Sequence, residues 1–276
     1  MKKVFIAYAN DAMAYSLKRI GRQAKKLRIF DDIILYTPHD LPDYAKKCEL
    51  MQYSYGGGYW AWKPIIIWET LQKYEEGTIV CYIDAGCTLK KGIEWTLYFE
   101  LMQEHNFLCF KYRDTMPCWK KFGSESTHIK HWVKKESILF YNQLTGSQEW
   151  LNENKIWGGA IFAKGQKNIL LHNWVDIILN HSEIIKDPQS TDDQYPFFAQ
   201  HKHDQPLLVA LTHKYHQDAI VLPELCETCG DDVAIFASRV RAKNLTDYLI
   251  LKVKYWTRKI LGNYIFEFIK KKVVLH

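Results

Sequence analysis

The sequence predicts an α/β fold with a mostly parallel sheet, and three apolar segments support that prediction. Residues 4–8 and 33–36 are short apolar runs on either side of a basic helical segment, residues 11–28. A strand, a helix and a second strand in succession favour parallel strands joined by a right-handed crossover. The third apolar run, residues 78–83, ends at Asp84. We therefore expect a central strand there, in a sheet flanked by helices.

Later segments continue the alternation of helices and strands. A helix is expected from Pro64 to about Glu76, where Gly77 would end it. The pair Gly158 and Gly159 predicts a strand that another part of the chain approaches closely. The other expectations are helices over residues 93–105, 168–181 and 205–214, strands over residues 107–112, 156–163 and 219–222, and a loop over residues 182–200. The polar and aromatic residues 113–155 are not assigned.

The bulk composition indicates a folded protein whose main body is nearly neutral. Of the 276 residues, 47% are hydrophobic and 14% are aromatic, which suffices for a buried core and argues against disorder. The net charge of +6 is mild, so we expect no nucleic-acid partner. The sequence has seven cysteines, an odd number that cannot all pair with one another. We see neither a signal peptide nor a run of about 20 apolar residues. We expect free thiols and a cytoplasmic location.

A basic tail, residues 241–276, is expected to form a helical segment after a main domain of residues 1–240. From Arg239 onward, ten Lys or Arg residues stand against two acids. Apolar residues recur at helical spacing, namely Leu249, Val253, Trp256, Ile260, Tyr264 and Phe268. This pattern suits peripheral contact with the anionic inner face of the cytoplasmic membrane. Docking on the protein's own core is the alternative, and Gly262 with Asn263 could interrupt the helix.

Asp84, Ala85 and Gly86 follow the predicted central strand. Ligands of α/β sheets bind at the carboxyl ends of such strands. A carboxylate there can hold Mg²⁺ or Mn²⁺, which take oxygen ligands and neutralise a departing diphosphate. Gly86 would let the backbone come close to a ligand. The alternative is that Asp84 only caps a turn at the end of the strand.

A glycine-rich segment precedes the first apolar helix. Gly56, Gly57 and Gly58 in succession predict unusual backbone geometry. Two tryptophans and Lys63 follow, just before the helix that Pro64 opens. A helix N-terminus attracts anions, and Lys63 would add a positive charge for phosphate. The alternative is a hydrophobic plug with a solvated lysine.

A third group of candidate residues is His203, Asp204 and Gln205, at the start of a predicted helix. Asp204 and Gln205 could bind acceptor hydroxyls or face the donor sugar, and His203 could orient Asp204. The alternative is that Asp204 is only the helix N-cap. The neighbouring carboxylates Asp192 and Asp193 are rivals to Asp204 for a catalytic role.

Cys226 and Cys229 have a C-x-x-C spacing, but the sequence holds no second pair of that kind. A structural zinc needs further ligands, which His213 and His216 could supply. We favour two free thiols.

Taken in order, three blocks resemble a family of bacterial GT-A glycosyltransferases that build capsular and lipopolysaccharide glycans. The blocks are Gly-Gly-Tyr-Trp-Ala-Trp-Lys-Pro at residues 57–64, Tyr-Ile-Asp-Ala-Gly-Cys at residues 82–87, and His-Asp-Gln at residues 203–205. The resemblance covers most of residues 1–240 and implies a GT-A fold, a nucleotide-sugar donor and a divalent metal. The chain departs from the family's common Asp-x-Asp metal motif, because only Asp84 is a carboxylate at that place.

The resemblance and the motifs together give a set of expected site residues. Asp84 and Asp204 are the expected catalytic carboxylates, and Asp84 is the expected ligand of Mn²⁺ or Mg²⁺. His203, Asp204 and Gln205 are expected at the acceptor or the donor sugar. The expected donor contacts are Tyr8, Ala9, Tyr59, Trp60, Trp62, Lys63, Asp84, Gly86, Gly158 and Gly159.

The predicted function is transfer of a hexose from a nucleotide-sugar, most simply a UDP-sugar, to a saccharide or lipid-linked saccharide acceptor. The reaction would serve surface polysaccharide or lipopolysaccharide synthesis. The alternative function is a non-catalytic protein that binds a glycan or a nucleotide.

Overall fold

A mixed six-stranded sheet forms the centre of the computed structural model, which describes residues 1–113, 126–227 and 230–273. The strands are β1 (Lys3–Tyr8), β2 (Asp32–Tyr36), β3 (Ile79–Ile83), β4 (Thr88–Leu89), β5 (Phe107–Lys111), β6 (Ile156–Lys164), β7 (Ala219–Pro223) and β8 (Ile235–Phe236). The order in the central sheet is β2-β1-β3-β6-β5-β7, and β4 pairs with β8 in a small second sheet. Only β6 runs antiparallel to its neighbours among these six strands. The predicted mixed, mostly parallel sheet is confirmed.

Helices cover both faces of the sheet. The helical segments of the described residues are α1 (Ala14–Leu27), α2 (Asp43–Lys46), α3 (Gly56–Tyr59, a single turn), α4 (Trp62–Gln72), α5 (Glu94–Glu104), α6 (Lys135–Thr145), α7 (Ile169–Asn180), α8 (Asp204–Lys214) and α9 (Leu245–Val273). Alternate residues of β1 separate the two layers. Val4 and Ile6 pack in the core with α4, α7 and α8, whereas Phe5 and Ala7 pack in the core with α1 and α5. A sheet buried on both faces explains why its strands read as continuous apolar runs.

Several predicted bounds differ from the structure. The helix expected from Pro64 begins at Trp62 and ends at Gln72, with Lys73 as its C-cap. Gly77 therefore does not end the helix; it takes a φ of 85° in the turn before β3. Residues 113–155, which carry no assignment from the sequence, contain the helix α6. Its amphipathic pattern is short, so it is hard to recognise in the sequence. The possible break at Gly262 and Asn263 does not occur, because α9 continues to Val273; one glycine only weakens a helix.

The tail helix α9 leaves its apolar stripe uncovered where its side chains are described. Leu249, Val253, Trp256 and Ile260 are 51%, 65%, 51% and 74% exposed. Docking of this stripe on the protein's own core is therefore not what the structure shows. None of the helices in the described ranges combines the length and the apolar character that a membrane crossing needs.

Candidate functional site

The candidate site lies where the carboxyl end of β3 meets the beginning of the antiparallel strand β6. The pairing of Ile83 with Ala160 brings Gly158 and Gly159 beside the residues that follow β3. The backbone N–H of Asp84 donates to the carbonyl of Gly159 at 2.9 Å. Two of the segments singled out from the sequence are thus joined directly, at the edge where sheets of this kind place ligands.

The Asp84 carboxylate is half-buried at this edge. One of its oxygens, Oδ1, accepts a hydrogen bond from the hydroxyl of Tyr82. Burial raises the pKa of Asp84, and the Lys63 ammonium and the Tyr82 hydrogen bond oppose that rise. The carboxylate is therefore held in a poorly hydrated place beside a fixed positive charge, which strengthens its interactions with any ligand.

Lys63 and Asp204 form a buried ion pair behind Asp84. The Lys63 ammonium lies 3.0 Å from Asp204 Oδ2 and donates to the carbonyl of Gly158 at 2.9 Å. Both residues are 3% exposed. Burial lowers the pKa of Lys63, but the Asp204 and Asp84 carboxylates outweigh it, so the pKa ends above its ordinary value. Lys63 is therefore charged, and its charge is already shared by two carboxylates.

The glycine at position 158 leaves room beside this ion pair. A Cβ on Gly158 would lie 3.1 Å from the Lys63 nitrogen and 3.6 Å from Asp204 Oδ2. The predicted close approach to the Gly158–Gly159 strand is confirmed. The approaching group is the Lys63 side chain from α4, and its partner, Asp204, belongs to the His-Asp-Gln block at residues 203–205.

This ion pair changes the roles expected from the sequence. Lys63 is neither a solvated lysine nor an exposed charge waiting for phosphate, because its ammonium is buried and paired. Asp204 is not the N-cap of α8; His203 occupies that position, with a φ of 53°. Lys63, and not His203, is the described hydrogen-bond partner that orients the Asp204 carboxylate.

The glycine-rich segment forms a left-handed turn. Five residues in succession, Gly56 to Trp60, have φ values of 60°, 62°, 100°, 52° and 59°. Left-handed backbone is costly for residues with a Cβ, and two of the five are Tyr59 and Trp60. The predicted unusual geometry is therefore confirmed. Beyond the turn, the indole of Trp62 stacks on Tyr8 with ring centroids 4.0 Å apart and donates to the Gly56 carbonyl at 3.1 Å.

The left-handed turn packs its aromatic rings around His203. The ring centroids of Tyr55, Tyr59 and Trp60 lie 5.2, 4.8 and 5.8 Å from that of His203. Burial lowers the pKa of His203, and its Nδ1 lies 3.0 Å from the carbonyl of Ile185. A neutral imidazole therefore donates from Nδ1, which leaves Nε2 as an acceptor.

Sequence reasoning missed Asp187, which lies on the open side of this aromatic cluster. The hydroxyl of Tyr59 donates to Asp187 Oδ2 at 3.1 Å, and His203 Nε2 is 3.8 Å from Asp187 Oδ1. Its side chain is 57% exposed. Tyr55 beside it is 49% exposed. No local motif marks Asp187, because its partner Tyr59 is 128 residues away in the sequence.

The turn after Asp84 is held by two distant segments that sequence reasoning also missed. The buried Arg19 guanidinium donates to the carbonyls of Ala85 and Cys87. On the other side, the carbonyl of Gly86 accepts from the Val240 N–H at 2.9 Å and from the Ser238 hydroxyl at 3.0 Å. Gly86 therefore approaches another backbone segment, with Arg239 Cα 3.7 Å from the place of a Cβ.

The other sequence candidates lie around this framework. Tyr8 and Ala9 are buried at the end of β1, and burial raises the pKa of Tyr8 to about 12. Gln205 is half-buried in the first turn of α8, whereas Asp192 and Asp193 are exposed. Cys226 is a buried free thiol. Cys229 lies outside the described residues, so the proposed pair is not seen.

The donor atoms around Asp84 do not fit a resident divalent cation. Asp84 offers one carboxylate, and one of its oxygens is engaged by Tyr82. The next carboxylate, Asp204, is bound by the buried ammonium of Lys63, whose charge would repel a cation. In the described ranges no group of three His, Cys, Asp or Glu side chains is placed to hold a metal. Mn²⁺ and Mg²⁺ need several oxygen ligands.

Among solved structures, the chain is similar to a glycosyltransferase involved in the glycosylation of the major capsid of PBCV-1. The TM-score is 0.47 and the identity 7%, over 92% of this chain and 100% of that chain. It is also similar to mouse xyloside xylosyltransferase 1, with a TM-score of 0.42 and 9% identity over 80% and 85% of the two chains. A third similar structure is 4-diphosphocytidyl-2C-methyl-D-erythritol synthase from Anaerococcus prevotii, with a TM-score of 0.41 and 8% identity over 92% and 98%.

Likenesses of this degree concern the architecture alone. Two of the three proteins are glycosyltransferases and the third is a synthase, and one architecture supports many reactions. No protein-family model matches the chain, and neither does any curated protein.

Proposed function

We propose that this chain is a glycosyltransferase that moves a hexose from a nucleotide-sugar, most simply a UDP-sugar, to a saccharide acceptor. The observation that supports the proposal is the half-buried Asp84 at the carboxyl end of β3, backed by the buried Lys63–Asp204 ion pair. Glycosyl transfer builds positive charge on the sugar ring in its transition state. A fixed, poorly hydrated carboxylate beside that ring stabilises the charge as it develops.

In this arrangement Asp204 acts through Lys63. Its carboxylate is buried and ion-paired, so we assign it a positioning role: it keeps Lys63 charged and in place behind Asp84. Tyr8 and Trp62, stacked at the end of β1, form an apolar wall on the side where the nucleotide base of the donor would lie.

The acceptor side of the proposed site is the aromatic cluster around His203. The ring of the half-exposed Tyr55 offers a flat apolar surface for a sugar ring. The Asp187 carboxylate beside it can accept hydrogen bonds from acceptor hydroxyls. Saccharides are recognised by such combinations of an apolar face and a few placed polar groups. A lipid-linked saccharide in surface polysaccharide or lipopolysaccharide synthesis is the acceptor we propose.

The test is release of nucleoside diphosphate from a panel of UDP-sugars, with and without saccharide acceptors. Asp84→Asn keeps the shape of the side chain and removes its charge, so we expect the rate to fall by at least about 100-fold. The Asp43→Asn variant, at a side chain that is 91% exposed, is the matched control and should keep the rate. Equal rates for wild type and Asp84→Asn would remove Asp84 from the mechanism. Binding of a glycan without any release of nucleoside diphosphate would favour the non-catalytic alternative.

We also propose that α9 docks the protein on an anionic membrane surface. Its exposed stripe of Leu249, Val253, Trp256 and Ile260 repeats every three or four residues, which places these side chains on one helix face. Lys252, Lys254 and Lys259 lie on the same helix and match anionic headgroups. An apolar stripe bordered by basic residues is the pattern of helices that lie in the membrane interface.

Co-sedimentation with lipid vesicles checks this. The full chain should bind vesicles that contain phosphatidylserine and bind pure phosphatidylcholine vesicles much more weakly. The double variant Val253→Glu/Trp256→Glu should lower binding by at least about tenfold, because it removes two apolar groups that would insert into the membrane surface and adds two negative charges. Leu139→Glu, at an exposed leucine of α6, is the control and should bind as wild type does. Unchanged binding of the double variant would contradict the proposal.

A further inference from the structure

The charges of the described site leave a departing diphosphate without a partner. Asp84 and Asp204 carry two negative charges, and Lys63 supplies one positive charge that both already share. A diphosphate that enters this field needs further positive charge. The described donor atoms around Asp84 do not fit a divalent cation, so positively charged side chains of the chain are the candidates for that charge.

Besides the buried Arg19, an exposed arginine lies close to the turn that follows Asp84. Arg241 lies in the segment that crosses this turn, one residue beyond Val240, whose N–H binds the Gly86 carbonyl. Its side chain is exposed, and no carboxylate in the described part of the chain forms an ion pair with it. The positive charge of Arg241 acts to lower the pKa of Asp84, against the larger effect of burial. The two side chains therefore interact electrostatically.

The backbone on both sides of Arg241 is fixed. The hydroxyl of Ser16 donates to the carbonyl of Val240 and accepts from the N–H of Ala242, both at 2.9 Å. The N–H of Ser16 in turn donates to the carbonyl of Ala242 at 3.1 Å. Ser16 and Ala242 are fully buried. The backbone from which the exposed Arg241 side chain extends is therefore held in place beside the turn, which suits a binding site.

A second arginine stands on the other side of Val240. Arg239 has a φ of 52°, an uncommon conformation for a residue with a Cβ. Its guanidinium forms an ion pair with Glu227 at 2.8 Å. Strained residues of this kind concentrate at functional sites. Arg239 and Arg241 thus flank Val240 in one short anchored segment that contacts the turn following Asp84.

We propose that Arg241, assisted by Arg239, binds the departing diphosphate in this chain and takes the place of a divalent metal. A guanidinium presents two parallel N–H groups that match a pair of phosphate oxygens, and it stays charged throughout the physiological pH range. The inference rests on the proposed function, since it names the group that receives the leaving diphosphate. It also accounts for the single carboxylate of the Asp84-Ala85-Gly86 block: no second metal ligand is required.

The test is binding of UDP, uridine and inorganic pyrophosphate by calorimetry, each in EDTA and in Mn²⁺. We expect wild type to bind UDP with similar affinity in both. Arg241→Ala should weaken UDP and pyrophosphate by at least about tenfold, because hydrogen bonds between charged groups are lost, and should leave uridine unchanged. Arg241→Lys should recover part of the loss. Lys243→Ala, two residues away and equally exposed, is the matched control and should bind as wild type does.

Three results would overturn the inference, and they differ in what else they exclude. If wild type binds UDP only with Mn²⁺, or if Arg241→Ala binds UDP and pyrophosphate as wild type does, the assignment of Arg241 is wrong while the proposed function stands. If wild type binds neither UDP nor any other nucleoside diphosphate in either buffer, both the proposed function and the inference are wrong. Thermal unfolding of each variant checks that the fold is retained.

Discussion

Two turns lie near the carboxyl ends of β1 and β3, and they are built in opposite ways. The left-handed turn of residues 56–60 is made from residues adjacent in the sequence, and its lining is aromatic. The turn of residues 84–87 is held by hydrogen bonds from segments 66 and 152 residues away, through Arg19 and Ser238. The first turn stores strain in its own backbone, and the second depends on the rest of the fold. One is thus visible as a sequence motif, and the other becomes visible only in three dimensions.

The Lys63–Asp204 ion pair joins the two regions. Lys63 follows the left-handed turn, and its charge acts on Asp84 at the second turn. If this pair ties the two turns together, breaking it by removing one partner should have a large effect on stability. If the two turns are independent, loss of the ion pair should change the free energy of unfolding only slightly.

The largest expected effect on stability is therefore that of Lys63→Met. This variant leaves the Asp204 carboxylate buried without its partner, which should lower the free energy of unfolding by about 3–5 kcal/mol. The double variant Lys63→Met/Asp204→Leu removes both charges and should recover most of that loss. Urea unfolding measures both.

An exposed ion pair provides the control for this experiment. Lys2 and Asp32 lie 2.9 Å apart, with side chains that are 45% and 44% exposed. Water screens such a pair, so Lys2→Met should leave the unfolding curve nearly unchanged. If Lys63→Met were as mild as Lys2→Met, the two turns would not be coupled through this ion pair.

The contrast between the turns also explains how much could be predicted from the sequence. The strands were predictable because the strands of a sheet buried on both faces are continuous apolar runs. The three glycines from Gly56 to Gly58 indicated unusual backbone geometry. The same glycines could not reveal that Tyr59 and Trp60 share the left-handed conformation, since the surrounding packing imposes it. The roles of Arg19, Asp187 and Arg241 were not predictable, because each depends on a contact between segments far apart in the chain.

Lys63 shows the same limit in a more instructive way. Its place beside Trp62 and Pro64 indicated a functional lysine, and the sequence suggested phosphate as its partner. The structure gives it Asp204 instead, because Gly158 leaves room for the ammonium on the strand beside it. A motif can therefore identify a residue of the site while its partner follows only from the packing of a third segment.

A pair of glycine substitutions measures how much of the first turn depends on packing and how much on backbone conformation alone. A Cβ on Gly58 would lie 2.9 Å from Met51 Cα and 2.7 Å from Met51 Sδ, with a φ of 100°. On Gly57 the nearest atom is Trp62 Nε1 at 3.6 Å, so Gly57→Ala meets only the backbone penalty at a φ of 62°.

We expect Gly57→Ala to lower the free energy of unfolding by about 1–2 kcal/mol. Gly58→Ala should add a further loss of about 1–3 kcal/mol from overpacking. Urea unfolding of the two variants gives the difference directly. Equal losses would mean that Met51 moves aside freely, and that the turn is rigid because of its backbone alone and not because of the packing beneath it.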